Sequence, residues 1–327
     1  MLPYYLRLSP HDKFINLTSF SLKTHDHRLS IQLDQLLEVM GDSPTLHHLE
    51  LEGLYFEHED EEFYDDDEVP DSKKSILQLP HLQFLSLKQC SSGAFLPRIN
   101  PPATTNVVLA VNDPFFLGGD DFHSDPPSIL YVLPPNFEEL SFIGKFETLD
   151  FEIRDSCITL RASQPSGQYL LIEQVPDPDA PENNTIEEMV LPSAISFANG
   201  MLGPVTTLRA SNLLSESKRD VLRDAGRYDV YRWLMTMSGL ERLEIFYFPL
   251  NFLECFAGGE GKQLSPLAVK EVTLIVYPNE CGDFKELKAW VKARAEAQLP
   301  FEKLDSIVPH PGLHRLTKNS SAPCAPR

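Results

Sequence analysis

The sequence predicts an α/β fold in which short parallel strands stack side by side, and three observations predict it. An apolar frame, L-x-x-L-x-L, recurs along the chain. Segments with apolar residues at i, i+3, i+4 and i+7, the spacing of an amphipathic helix, separate several of its copies. Between the early and late copies lies a stretch, Phe137 to Gln174, that alternates like strand and carries no helical spacing.

The clearest copy is Leu82 to Cys90, LQFLSLKQC. The same frame holds in Leu17 to Leu22 (LTSFSL), Leu46 to Leu54 (LHHLELEGL), Phe137 to Phe142 (FEELSF) and Val205 to Leu213 (VTTLRASNL). It returns in Leu240 to Phe248 (LERLEIFYF), Val269 to Tyr277 (VKEVTLIVY) and, with weaker matches, Phe301 to Pro309. The last two apolar residues of each frame are two apart, so they point to one side of a short strand. One such unit cannot bury that side alone, and neighbours must stack on it. With the closing Asn/Cys slot filled by Cys90, this is the leucine-rich-repeat consensus. Successive frames start 29 residues apart (Leu17 to Leu46), then 36 (Leu46 to Leu82), and later 35, 29 and 32 (Val205, Leu240, Val269, Phe301), room enough for a helix in each repeat. The expected architecture is a degenerate leucine-rich-repeat solenoid with a curved, mainly parallel sheet, helices on the convex side and an irregular strand-rich middle.

In chain order, Leu33, Leu36, Leu37 and Met40 predict a helix that Gly41 ends as a left-handed residue, with Pro44 just beyond. Glu57 to Asp71 holds ten acids and no Lys or Arg, which marks a solvated loop. Pro97, Pro101 and Pro102 rule out a regular helix after the third frame, and Val107, Leu109 and Val111 alternate as a strand. The middle reads as the strands FETLDFEI, CITLRA and QYLLIEQ, with a local antiparallel meander. Helical spacing returns at Val230 to Met237 and Phe252 to Phe256. A capping box, Asp283 with Glu286, opens a last helix that ends before Pro300. The expected domain is residues 1–317, with a subdivision near 176–184 (PDPDAPENN) and a disordered tail at 318–327.

The formal charge is −20, half of it in the acidic block, a balance that disfavours nucleic acid and anionic membranes as partners. No run approaches the roughly 18 apolar residues of a membrane span, and the N-terminus lacks a signal-peptide pattern. Five cysteines without a C-x-x-C pair argue against a disulfide framework or zinc finger, and the expected location is cytoplasmic or nuclear.

Counting the leading residue as position one, positions three, five and seven of each strand face away from the core. Column seven begins Lys23, Glu52, Lys88, column three ends Arg242, Glu271, Lys303, and column five sets Arg209 beside Glu244. Opposite charges across strands support register at about 0.2–1 kcal/mol each. The candidate protein-binding residues on this face are His48, Glu50, Phe84, Lys88, Arg209, Arg242, Glu244, Phe246 and Glu271.

Catalytic and cofactor motifs are absent from the sequence. Gly261 and Lys262 lack the Gly five residues upstream and the Ser or Thr that a phosphate loop requires. His25 and His27 find no third metal ligand, Asp120, Asp121 and Asp125 lack the closing Glu of a calcium loop, and no nucleophile elbow occurs. No cofactor is expected.

The succession LTSFSL, the helix LDQLLEVM ending GDSP, LHHLELEGL, LPHLQFLSLKQC, FETLDFEI with CITLRA, and WLMTMSGLERLEIF resembles the C-terminal repeat region of F-box proteins of mushroom-forming fungi. The resemblance implies a repeat domain that binds a protein target, joined through an N-terminal F-box to a cullin-type ubiquitin-ligase scaffold. The chain opens at LRLSPHDKF without room for an F-box, so that scaffold is an expected partner only if an F-box lies upstream. The expected function is a non-catalytic protein–protein interaction module, the target-recognition part of such an adaptor. The alternatives are an enzyme with its site at 118–155 and a degenerate paralogue without a specific partner.

Overall fold

The computed structural model describes residues 4–6, 15–24, 29–57, 76–90, 92–111, 133, 139–143, 146–154, 157–174, 205–213, 239–247, 269–276 and 285–307. It is an α/β structure with a large, mostly parallel sheet of eleven described strands and few described helices. The chain divides into two compact units, residues 1–146 with 156–203, and residues 147–155 with 204–327.

The first unit contains β1 (Tyr4–Leu6), β2 (Ser19–Lys23), β3 (Leu29–Gln32), α1 (Leu33–Gly41), β4 (His48–Glu52), β5 (Leu54–Glu57), β6 (Leu77–Gln78) and β7 (Phe84–Lys88). A four-residue helix α2 (Ser92–Phe95), a 3-10 turn (Leu96–Arg98), β8 (Ile99–Asn100), β9 (Asn106–Val111), β11 (Ile158–Ser163) and β12 (Tyr169–Gln174) complete it. Its main strands run β2-β4-β7-β9-β12-β11, every neighbour parallel except the β12 and β11 hairpin. The expected antiparallel meander is this hairpin.

The frame works as pleat geometry demands. Leu49, Leu85, Val107 and Leu170 lie opposite one another in successive strands, as do Leu51, Leu87, Leu109 and Ile172, and all are buried. Each such aliphatic contributes about 1.5–3 kcal/mol by leaving water. Leu46 and Leu82, the leading residues, are buried at the strand entries. α1 lays Leu33, Leu36, Leu37, Val39 and Met40 into this core.

Gly41 is the last residue of α1 and does not take the left-handed conformation expected of it. The helix closes on Asp42 in right-handed geometry, its amide donating back to Glu38. β3 and β5 were not anticipated: with β1 they form a second parallel sheet, β1-β3-β5, and β6 pairs with β8.

The second unit contains β10 (Thr148–Arg154), β13 (Thr207–Leu213), β14 (Arg242–Phe246), β15 (Glu271–Ile275), α3 (Lys285–Glu296) and β16 (Lys303–Ile307). Its strands run β10-β13-β14-β15-β16, all parallel and in frame register. Leu149, Leu208, Leu243 and Val272 make one buried row, and Phe151, Ala210, Ile245 and Leu274 the next. α3 buries Leu287 and Trp290, the latter edge-on to Phe301 at 4.8 Å. Gln298 is left-handed (φ 58°), and the amide of Leu299 donates to Arg294 while that of Gln298 donates to Ala295, a Schellman closure ahead of Pro300.

The expected strand at Phe137 to Phe142 is corrected. Among the described residues Glu139 to Ile143 form a turn, closed by the Ile143 amide on the Leu140 carbonyl at 2.9 Å. The frame of the neighbouring strand starts instead at Phe146, with Leu149 and Phe151 as its inward pair. FEELSF has the right residues, but the first turn takes them because the parallel partner of β13 is FETLDFEI.

Two backbone features recur at fixed frame positions. In six strand entries the amides of positions two and three both donate to the position-two carbonyl of the preceding strand. These are His47 and His48 to Thr18, Gln83 and Phe84 to His47, Thr206 and Thr207 to Glu147, Glu241 and Arg242 to Thr206, and Lys270 and Glu271 to Glu241. Glu302 and Lys303 repeat it on Lys270. At position eight, Gly53 (φ 74°), Gln89 (φ 52°) and Tyr247 (φ 61°) are left-handed, and their amides donate to Lys88, Ala110 and Ile275. A Cβ on Gly53 would stand 2.5 Å from the Thr24 carbonyl oxygen, so glycine is required there.

The acidic block beyond Glu57, the loop at 118–127, the segment 176–184, the helices near 230–237 and 252–256, Asp283 and the tail at 318–327 lie outside the described residues.

Candidate protein-binding face

The nine candidate residues all stand on the side of their strands opposite the buried rows. The structure places them in two groups, His48, Glu50, Phe84 and Lys88 in the first unit and Arg209, Arg242, Glu244, Phe246 and Glu271 in the second.

In the first unit, parallel pairing sets His48 against Phe84 and Glu50 against Ser86. The His48 and Phe84 rings stack at 4.7 Å between centroids and 19° between planes. Glu50 is the electrostatic centre: Lys23 Nζ lies 2.9 Å away, Lys88 Nζ 3.9 Å, and the Ser21 hydroxyl donates at 3.5 Å. Burial pulls the Glu50 carboxyl upward, but the Lys23 hydrogen bond and the Lys23, Lys88 and His48 charges outweigh it and hold it below the ordinary 4.5. Lys23 is raised above 10.5, chiefly by the same hydrogen bond. The column-seven order Lys23, Glu52, Lys88 holds in the strand register. Lys23 reaches Glu52 only at 3.9 Å, and both lysines converge on Glu50 one column away.

Not every outward position is exposed. Ser86, Val108 and Ala110 point away from the core rows yet are buried. Further along the face, sequence reasoning missed three residues. Tyr169 and Leu171 of β12 point outward, and Arg161 of β11 is exposed, its guanidinium 4.8 Å from the Tyr169 ring centroid. The signal available was the strict alternation of QYLLIEQ and CITLRA, which assigns faces once the hairpin register is known.

In the second unit the outward charges neutralise one another. Arg209 Nε meets Glu244 at 2.9 Å and its Nη1 meets Asp150 at 3.6 Å, Arg242 meets Glu271 at 2.8 Å, and Lys303 meets Asp305 at 2.9 Å. Arg154 pairs with Glu152 in the same strand. Phe246 and Ile275 stand side by side at the strand ends.

Cys90 fills its consensus slot as a buried thiol donating to the Lys88 carbonyl at 3.1 Å, and burial pushes it up to about 12. Among the described residues no cluster of three or more His, Cys, Asp or Glu side chains is arranged to hold a metal, and no helix is long and apolar enough to cross a membrane. Of the region 118–155, residues 118–132, 134–138, 144, 145 and 155 lie outside the described residues. Comparison with family models, with curated proteins and with solved structures finds no match.

Proposed function

We propose that the chain is a non-catalytic protein-binding module built as a degenerate leucine-rich-repeat solenoid, and that it serves as the target-recognition part of an F-box-type ubiquitin-ligase adaptor when an F-box is supplied upstream. The observation that carries the reading is the outward face of the first unit. Parallel in-frame pairing lays aromatic, apolar and charged groups in rows about 4.8 Å apart, with His48 and Phe84 stacked beside Glu50. Aromatic residues and arginine are the groups that carry most of the energy in protein interfaces. The solenoid is supported by the repeated double donation at strand entries and the left-handed residue at position eight.

Proximity labelling in the source cells, with the wild-type chain and with a Phe84→Asp, Tyr169→Asp variant, tests this. A set of proteins labelled by the wild type and lost from the variant is the expected result. Identical labelling by both would overturn it. A cullin-type scaffold among the labelled proteins, when the chain is expressed with its upstream sequence, is the expected mark of the adaptor role.

A further inference from the structure

We propose that the edge of β2 is the seat of a further parallel strand carrying the same apolar frame, supplied by the polypeptide immediately upstream of Met1. This rests on the repeat reading above and names what covers that edge.

The place of β1 carries it. In the first unit the main-sheet strand β2 is followed by β3 of the second sheet, and β4 by β5. β2 pairs with β4 in parallel, and β3 pairs with β5 in the same sense. β1 lies on the other side of β3 from β5, also parallel, with Tyr4, Tyr5 and Leu6 opposite Leu29, Ser30 and Ile31. It holds the second-sheet place of a repeat that precedes β2, and the main-sheet strand of that repeat belongs beside β2. Among the described residues the second sheet thus reaches one strand further at this end than the main sheet does.

Chain lengths place the added strand. β5 begins two residues after β4 ends, and β3 begins six after β2 ends, so the strand that leads into β1 ends two to six residues ahead of Tyr4. β2, β4 and β7 are five residues each, and a strand of that length starts before Met1. Residues 7–18, which join β1 to β2, are too few to supply it, because a strand parallel to β2 would still need a crossover of about a dozen residues to reach Ser19.

The edge is fitted to such a neighbour. In the next repeat the inward residues Leu46, Leu49 and Leu51 are 1%, 0% and 0% exposed. Their counterparts Leu17, Phe20 and Leu22 are only half-buried, and Ile15 beside them is 57% exposed. Half-exposure alone marks any sheet edge, as Leu304 does in β16, and β1 is what sets this edge apart. The His48 amide donates to Thr18 and the Thr24 amide to Glu52, so the backbone of Thr18 and Thr24 faces β4. By alternation the backbone of Ser19, Ser21 and Lys23 faces the edge. A stack of repeats needs a closing unit over its terminal apolar row.

Mass-spectrometric sequencing of the protein isolated from the source cells, with residue-resolved hydrogen exchange on it and on the chain begun at Met1, tests the proposal. The isolated protein is expected to carry residues upstream of Met1 in which the apolar alternation of the frame ends two to six residues before Tyr4. The Ser19, Ser21 and Lys23 amides should exchange about tenfold or more slowly in it than in the chain begun at Met1. The Leu49 and Leu51 amides, which lie within the sheet between β4 and β7, should exchange alike in both. A native N-terminus at Met1, an upstream sequence without the frame, or equal exchange of the three edge amides in the two forms would overturn the proposal. So would protection of those amides in the Met1 chain that grows with its concentration, which would assign the edge to a second copy. Each of these results leaves the protein-binding reading standing, because that reading is decided by the labelling lost from the Phe84→Asp, Tyr169→Asp variant on the outward face.

Discussion

Arg242 and Glu271 stand directly opposite in β14 and β15, and their side chains meet at 2.8 Å on the exposed face of the second unit. Both are substantially solvated, so the pair contributes at most about 1 kcal/mol. The double change Arg242→Ala, Glu271→Ala is expected to shift the urea midpoint only slightly and to leave partner labelling intact. Loss of labelling with an unchanged midpoint would make this pair part of the binding surface.

Position eight of the frame discriminates between residue types. Gly53→Ala drives a Cβ into the Thr24 carbonyl in a left-handed conformation and should destabilise the chain by about 1–3 kcal/mol. Gln89 already carries a side chain in that conformation, so Gln89→Gly should be neutral or stabilising by up to about 1 kcal/mol. Denaturant titration of the two variants checks the opposite signs.

Arg294 ties the last helix to the sheet. Its Nη2 donates to the Val269 carbonyl at 2.7 Å, its Nε donates to Leu299 at 2.9 Å, and the guanidinium lies 4.5 Å from the Phe301 ring centroid. Burial lowers its pKa from 12.5. Arg294→Met should cost about 2–4 kcal/mol by releasing buried carbonyls, and Arg294→Lys should recover only part of it because an ammonium lacks the planar fork. Equal stability of the wild type and the lysine variant would contradict this.

The Lys23 and Glu50 pair sets a pH window. Glu50 is depressed in the fold, so its contribution is present above 4.5 and is lost as pH falls through the folded value. Lys23 is raised, so its contribution is full below 10.5 and is lost as pH rises through the folded value. Lys23 is largely solvated, and the pair contributes no more than about 1 kcal/mol. The stability gap between wild type and Glu50→Gln should be flat from pH 6 to 9 and shrink below pH 4.5. A gap that grows in acid would refute the assignment.

The buried Ser86 hydroxyl, unpaired among the described residues, gives a test of the outward face. Ser86→Ala removes a buried group without a partner among the described residues and should raise stability by up to about 1 kcal/mol. Destabilisation would indicate a hydrogen bond at that site.

The buried rows were legible because period-two alternation assigns faces without knowledge of partners, and the frame gave the register of β2, β4, β7, β13, β14, β15 and β16 directly. The middle was less so. Phe137 and Phe146 both open an acceptable frame, and choosing between them depends on which segment pairs with β13, a long-range fact. β3 and β5, at four residues each, are too short for a periodic signal. Arg161, Tyr169 and Leu171 escaped because the hairpin interrupts the frame, leaving their column undefined until β12 is known to lie beside β9. Charge columns were visible, but the convergence of Lys23 and Lys88 on Glu50 depends on side-chain reach rather than on register.

Site-specific photo-crosslinking tests the central claim most directly. A benzoylphenylalanine placed at Phe84, on the outward face, and at Glu38, on the exposed side of α1, should behave differently in the source cells. The account predicts that the Phe84 position yields a discrete crosslinked protein that the Glu38 position does not. Crosslinking from Glu38 alone, or equally from both positions, would contradict it.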